Sequence, residues 1–287
     1  MQRPVWTQRP ACVDSHDQAL FNQGRFTVAM DNAPRGTAKY YVSMRLDGTK
    51  SQRAGPQSSV MKTHPIDFLL AGLVLGLILA LDLIAMAILV VPVSTRWLGD
   101  YHVVADTALF LLGYGLISAL FAGLLRRCWP LRPGDYEMEH RVFIYWKLLT
   151  VIYEFGRGSL LPFTTVFARP LIAKLFGARI GRNVALGGRI ADPSLVSVGS
   201  DAILGHNSVI TPHAITSGQI ILREVKIGRA ATVGVNVVLM AGVEIGEGAI
   251  VTSGAVVSLN TKIPPGEFWG GIPARKIKDI GPSEIRS

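Results

Sequence analysis

Residues 225–278 read VKIGRAATVGVNVVLMAGVEIGEGAIVTSGAVVSLNTKIPPGEFWGGIPARKIK, and an aliphatic side chain returns in them at every sixth position. Ile227, Val233, Leu239, Ile245, Val251 and Val257 hold that position, and glycine follows directly at Gly228, Gly234 and Gly246. Four places after each aliphatic residue stands a small or β-branched one: Ala231, Val237, Val243, Ala249, Ala255 and Thr261. A period of six belongs neither to an α-helix nor to an ordinary amphipathic strand. It suits a short strand that supplies one inward aliphatic residue to a flat face, then a turn that needs a small or permissive residue. Three such faces close a triangular coil, and stacked coils bury a continuous aliphatic column while pairing each strand with those above and below.

Working upstream, the rhythm reappears at Val198-Gly199, Leu204-Gly205 and Ile210-Thr211, with Ala202, Ser208 and Ala214 in phase, and at Ile180-Gly181 and Val184. About five coils are predicted between Ile180 and Ile263. Between Ile210 and Ile227 the phase slips by one residue, so a small loop is expected to leave the coil around Thr211-Pro212-His213-Ala214-Ile215-Thr216-Ser217-Gly218-Gln219.

The apolar fraction of 49% is high for a soluble chain and directs attention to the segment before the repeats. Residues 66–93 read IDFLLAGLVLGLILALDLIAMAILVVPV, longer than the roughly 20 apolar residues a helix needs to cross a bilayer core. A second apolar run, 103–125, carries Asp106 and the small residues Gly113, Gly115, Ser118, Ala119, Ala122 and Gly123, which let helices approach closely. Two transmembrane helices are therefore expected within 61–130. Asp82 lies inside the first run, where a carboxylate costs about 2.5–3.5 kcal/mol, so it is expected to face a partner helix or a polar cavity. Basic residues gather before the first span (Arg45, Lys50, Arg53, Lys62) and after the second (Arg126, Arg127, Arg132), with Arg96 alone between them; both termini and the repeat domain are thus expected on the cytoplasmic side of the inner membrane.

That placement gives much of the net charge of +9 a membrane explanation, and no basic stripe interleaved with aromatics points to nucleic acid. Cys12 and Cys128 stand too far apart in character and sequence to suggest a disulfide framework or a metal cluster; both read as free thiols. Residues 1–60 show no helical or strand periodicity and are expected to be disordered, and Met61, just before the first apolar run, is the expected natural start of translation. Residues 131–178 mix aromatic and basic side chains, which suits amphipathic linker helices at the membrane interface or ordinary packing helices that cap the next domain. Pro162 and Pro170 break any single long helix there. The repeat domain is expected over 179–279, with a short tail at 280–287.

The repeats resemble the hexapeptide-repeat acyltransferases, and Gly271-Ile272-Pro273-Ala274-Arg275 resembles the closing motif of the sugar and antibiotic O-acetyltransferases in that family. The layout of two spans before the repeats, with Asp192-Pro193-Ser194-Leu195-Val196, also resembles the terminal domains of some nonribosomal peptide synthetases. The resemblance implies a left-handed parallel β-helix, a homotrimer, and acetyl-CoA or another acyl-CoA as co-substrate in a groove between subunits, with no metal. It implies transfer to a hydroxyl or amine of a small-molecule, sugar, glycan or peptide acceptor, with membrane lipid as a further partner.

His213, just before the loop that precedes the last coils, matches the family's catalytic base, and an imidazole can take and return a proton near neutral pH. His206, at the third position of a regular hexad, is the competing candidate. Pro212 and Ala214 flank His213, so no adjacent acid orients it, and Glu224 and Asp192 are the candidate carboxylates. A backbone N–H at Gly234, with Asn236 nearby, is the candidate oxyanion donor. The resemblance places Ala241, Ser253 and Gly254 along the acyl-CoA groove and Lys262, Arg275 and Lys276 near its phosphates. Two other readings stay open: a noncatalytic trimeric β-helix scaffold, and a β-helix of the carbonic-anhydrase kind, with His206 and His213 from different chains combining on zinc.

Overall fold

The computed structural model describes residues 26–30, 40–44, 65–216 and 218–280. From Arg179 onward the chain winds into a parallel β-helix with three faces. The first face stacks Arg179–Ile180, Val196–Val198, Val225–Ile227, Glu244–Ile245 and Lys262–Ile263. Ala185–Leu186, Ile203–Leu204, Thr232–Val233, Ile250–Val251 and Glu267–Gly271 form the second. The third holds Arg189–Ile190, Val209–Ile210, Val238–Leu239 and Val256–Val257. Four coils are complete and a fifth ends after two faces.

Register places like beside like: Ile227 pairs with Val198 below and Ile245 above, and Leu239 with Ile210 and Val257. The six-residue positions and the residues four places later both point inward, so Ile227, Ala231, Val233, Val237, Leu239 and Val243 share one buried column. Glycine after the aliphatic residue is a stacking requirement. A Cβ at Gly234 would come 2.5 Å from the backbone nitrogen of Ser253 in the next coil. The left-handed turn falls two residues further on, at Ala230, Asn236, Gly242, Gly248, Gly254, Asn260 and Gly266, all with positive φ. Gly and Asn tolerate that conformation best, which explains their recurrence at this fourth position of the hexad. The column closes where Glu267–Gly271 turns back, antiparallel, onto Ala274–Asp279.

Two excursions interrupt the coil, both at the corner where the third face hands over to the first. Residues 191–195 form one, with a single 3₁₀ turn at Pro193–Leu195. The other is the loop expected around His213, and it is a β-hairpin, His213–Thr216 against Gln219–Leu222, extended by Gly134–Glu137 into a three-stranded antiparallel sheet.

Before the coil, helix α1 (Pro65–Ala85) continues through a π-helical turn, Met86–Val90, into α2 (Val91–Leu98). The chain reverses at Gly99, whose φ is 52°, and α3 (His102–Cys128) returns alongside α1. This helical run is long and apolar enough to cross a membrane. Asp82 is buried against α3, as expected: a Cβ at Gly113 would meet its Oδ1 at 2.3 Å, so only glycine leaves the carboxyl room. Helix α4 (Arg141–Leu160) lies between the helical hairpin and the coil, and α5 (Arg169–Leu175) joins it. Leu148 and Ile152 of α4 pack with Ile78, Ala119 and Ala122, while Phe143 and Trp146 pack with Leu195, Ile220 and Leu222 of the two excursions. The segment after the apolar run therefore contains helices that pack against both the helical hairpin and the two excursions.

Residues 1–57 form a separate unit, in which Phe26–Met30 pairs with Tyr40–Met44 as an antiparallel pair. Those ten residues are strands within the segment expected to be disordered. The rest of 1–60, with Cys12, lies outside the described residues, as does Met61. Cys128 is a free, exposed thiol.

Candidate active site

Stacking brings the two excursions together. Ile190 pairs with Ile210 on the third face, so Asp192, two residues beyond the first, and His213, three beyond the second, leave the coil at one corner. Their side chains meet: His213 Nδ1 hydrogen-bonds Asp192 Oδ2. Asp192 sits at φ 45°, ψ 64°, in the left-handed region an aspartate tolerates better than most residues, and Pro193 then starts the 3₁₀ turn. Its other oxygen accepts a 2.8 Å hydrogen bond from Trp146 Nε1 of α4. The Trp146 ring meets the imidazole edge-on at 4.9 Å between centroids, and Phe143 stacks on the Trp146 ring at 5.7 Å.

Asp192 is nearly closed off, with 4% of its side chain exposed, whereas 26% of His213 remains open. A buried carboxylate that accepts from a tryptophan N–H, which can only donate, presents its second oxygen to Nδ1 as an acceptor. In neutral His213 the hydrogen is then on Nδ1 and the lone pair on Nε2, directed away from the carboxylate. That is the tautomer a general base needs. Below it, Tyr153 donates its hydroxyl to Ile190 O at 2.8 Å and holds the same corner, and burial pushes its phenol well above the ordinary range.

Of the two candidate carboxylates, Asp192 reaches His213; Glu224 instead pairs with Arg179 at 3.3 Å. His206 lies one corner earlier in the same coil, on a cleft with Arg157, Arg169 and Arg189, and does not join His213. Gly234 is corrected as an oxyanion donor: its N–H is donated to Val251 O at 2.8 Å within the coil, and its missing Cβ serves stacking. Asn236 forms the left-handed turn, and its side-chain oxygen accepts from Asn207 Nδ2 at 2.8 Å. Ala241 is fully buried within the chain, which removes its methyl as a groove contact. Ser253 Oγ accepts from Val235 N, and Ser253 and Gly254 are both exposed. Lys262 stands 3.7 Å from Glu244, and Arg275 bonds the carbonyl of Ala274. Lys276 is held by Glu267 and Asp279, so it is engaged before any phosphate arrives. Among the described residues no group of three or more His, Cys, Asp or Glu side chains is placed to share a metal ion.

Trp146 was missed in the sequence, where it is one aromatic among several in 140–178. An expected result follows from its partner. Asp192→Asn can offer an amide N–H to Nδ1 and favour the opposite tautomer, so nitrogen-15 NMR of the imidazole should show its hydrogen move to Nε2, and any turnover that uses Nε2 as base should fall on the order of tenfold to a hundredfold while the melting temperature changes little. Unchanged turnover would remove Asp192 from the site.

No family model matches the chain. It is 36% identical over 85 residues to the putative acetyltransferase YvoF of Bacillus subtilis, a match covering 30% of this chain and 48% of that one. It is 31% identical over 186 residues to gamma carbonic anhydrase 2, mitochondrial, of Arabidopsis thaliana, covering 56% of this chain and 63% of the relative. The chain thus spans less than two thirds of either relative's length. A hexapeptide-repeat-containing acetyltransferase of Vibrio cholerae superposes with a TM-score of 0.42 at 17% identity, over 48% of this chain and 93% of that structure. The six-residue repeat and its three stacked faces make residues 179–279 a hexapeptide-repeat coil, and the chain is similar in sequence to both of these curated relatives.

Proposed function

We propose that this chain is a membrane-anchored acyltransferase that uses His213 as its base and acetyl-CoA or another acyl-CoA as donor. The observation that carries the reading is the Trp146–Asp192–His213 arrangement at the coil corner, because it buries the carboxylate, leaves the imidazole accessible and sets its tautomer. The acceptor hydroxyl or amine gives its proton to His213 Nε2 as its oxygen or nitrogen bonds to the thioester carbon. The C–S bond then breaks, and the proton passes from His213 to the leaving CoA thiolate.

In this reading the β-helix is left-handed, and three chains associate with an acyl-CoA groove between neighbours. Exposed Ser253 and Gly254 suit the pantetheine arm, and Lys262 and Arg275, neither buried, suit the phosphates. Helices α1 and α3 are two antiparallel spans. The basic residues before the first and after the second support an orientation with both termini and the coil on the cytoplasmic side of the inner membrane. A sugar, glycan or peptide acceptor is presented there.

Titration of the detergent-solubilised protein with acetyl-CoA in a calorimeter tests the reading. Binding in the micromolar range is expected, weakened about tenfold by Lys262→Ala with Arg275→Ala. Absence of binding to any acyl-CoA would overturn it in favour of the noncatalytic trimeric scaffold. Likeness to the plant mitochondrial gamma carbonic anhydrase favours a metal-dependent alternative. His206 and His213 occupy different corners of one chain, so such a site needs side chains from two subunits, and stoichiometric zinc in the purified protein would support it.

A further inference from the structure

Helix α4 separates two cavities of opposite character. On one flank, an apolar groove of about 710 Å³ runs among Leu75 and Leu79 of α1, Phe110 and Tyr114 of α3, and Phe155 of α4. On the other, a cleft of about 270 Å³ opens between α4, α5 and the first two coils, lined by Arg157, Arg169, Arg189, Tyr153 and His206. Glu154 links them. It lines the groove, and its two oxygens bind Arg157 Nη2 at 3.0 Å and Arg189 Nη2 at 2.7 Å on the cleft side. Burial alone would push Glu154 up, but the hydrogen bonds from Arg189 and Arg157 outweigh it and hold the carboxyl below its usual range.

One carboxylate cannot satisfy three guanidinium groups. The cleft keeps a net charge of two positive units, and the Nε–H groups of Arg157 and Arg169 are buried without a partner. Buried donors left unpaired are costly, and arginine clusters match the oxygens of a phosphate ester. An apolar groove and an arginine-lined cleft, joined by Glu154 with its hydrogen bonds to Arg157 and Arg189, fit the two ends of a single amphiphile.

We propose that the groove and cleft together bind one molecule of a long-chain lipid phosphate, with its hydrocarbon along α1, α3 and α4 and its phosphate among Arg157, Arg169 and Arg189. This goes beyond the acyl-transfer reading and requires no step of it. It does assign that reading an acceptor class, a group carried on a phosphorylated lipid.

The test uses the full chain in phosphatidylcholine nanodiscs and three probes: dioleoyl phosphatidic acid, dioleoylglycerol, which lacks the phosphate, and inorganic phosphate, which lacks the chains. Native mass spectrometry should show one phosphatidic acid per chain, bound at least about tenfold more tightly than either other probe. Arg169→Gln and, separately, Gly158→Leu should each weaken it by about tenfold. Gly158 lines the groove and a Cβ there meets nothing within 4 Å, so a side chain can start into the groove at this position, and an unchanged melting temperature confirms that the variant folds. His213→Ala should bind phosphatidic acid like the unaltered protein, which separates failure of this site from failure of the acyl-transfer reading. Equal binding of dioleoylglycerol, equal binding of inorganic phosphate, or unchanged affinity in both variants would each overturn the proposal.

Discussion

If His213 is the base of the proposed acyl transfer, replacing it with Ala should lower kcat by about 10²- to 10⁴-fold, the range a positioned general base supplies. The substitution removes Nε2, the atom left free to accept the proton, while Asp192 keeps its hydrogen bond from Trp146. The imidazole is partly exposed and meets Trp146 edge-on, so its loss costs modest packing, but it leaves the buried Oδ2 of Asp192 without its partner, and a melting curve must accompany the assay. Acetyl-CoA affinity should stay within about twofold, because the proposed donor contacts lie elsewhere on the coil, and a group used only in the transition state changes kcat without changing ground-state binding. The decisive comparison is kcat against the dissociation constant for acetyl-CoA. A variant that turned over normally would move the base elsewhere, with His206 the other histidine of the coil to examine.

Leu239→Ala should destabilise the coil by about 2–5 kcal/mol. Leu239 is fully buried, and its register partners are Ile210 in the coil before and Val257 in the coil after. A solenoid gains its stability from neighbour-to-neighbour interfaces, so a cavity in a middle coil weakens the contacts on both sides. The short strands have no loop that can move in to fill it, and the backbone on each side is tied by hydrogen bonds such as Val238 N to Ala255 O at 2.9 Å. Chemical unfolding followed by circular dichroism should show the midpoint fall with an unchanged slope. A midpoint shift equivalent to less than about 1 kcal/mol would mean that the column tolerates voids, contrary to close packing.

The two predictions draw on different parts of what was legible. Leu239 could be named from the hexad alone, as could Ile227, Val233 and Val251, because the period assigns each of them an inward position whatever else the chain does. The glycines that follow Ile227, Val233 and Ile245 were equally visible. Their reason was not, and it lies in the next coil: the Cβ of a larger residue at Gly234 would strike the backbone of Ser253. The same contact explains the error at Gly234. An N–H beside a glycine turn looks free in one dimension, but the coil above supplies Val251 O to accept it. Ala241 failed similarly, since its burial depends on neighbouring coils.

His213 could be picked out by the slip in phase and by family resemblance, whereas its carboxylate could not be chosen between Asp192 and Glu224. Choosing required the pairing of Ile190 with Ile210, which sets how far each excursion travels before it leaves the coil. Trp146 required more, because it reaches the corner from a helix outside the repeat and only the docking of α4 brings its indole to Asp192. The arginines of the basic cleft come from α4, α5 and the first coil, three segments with no common pattern.

The amino-acid sequence by itself determined the stacked coil, its closing motif and the apolar helical run before it, because each is specified by short-range periodicity or by length and hydropathy. Tertiary structure alone decided the partnership of Trp146, Asp192 and His213 and the pairing of groove with cleft. Those contacts join residues that are distant in the chain, and their geometry exists only after coils stack in register and α4 packs between the helical hairpin and the coil.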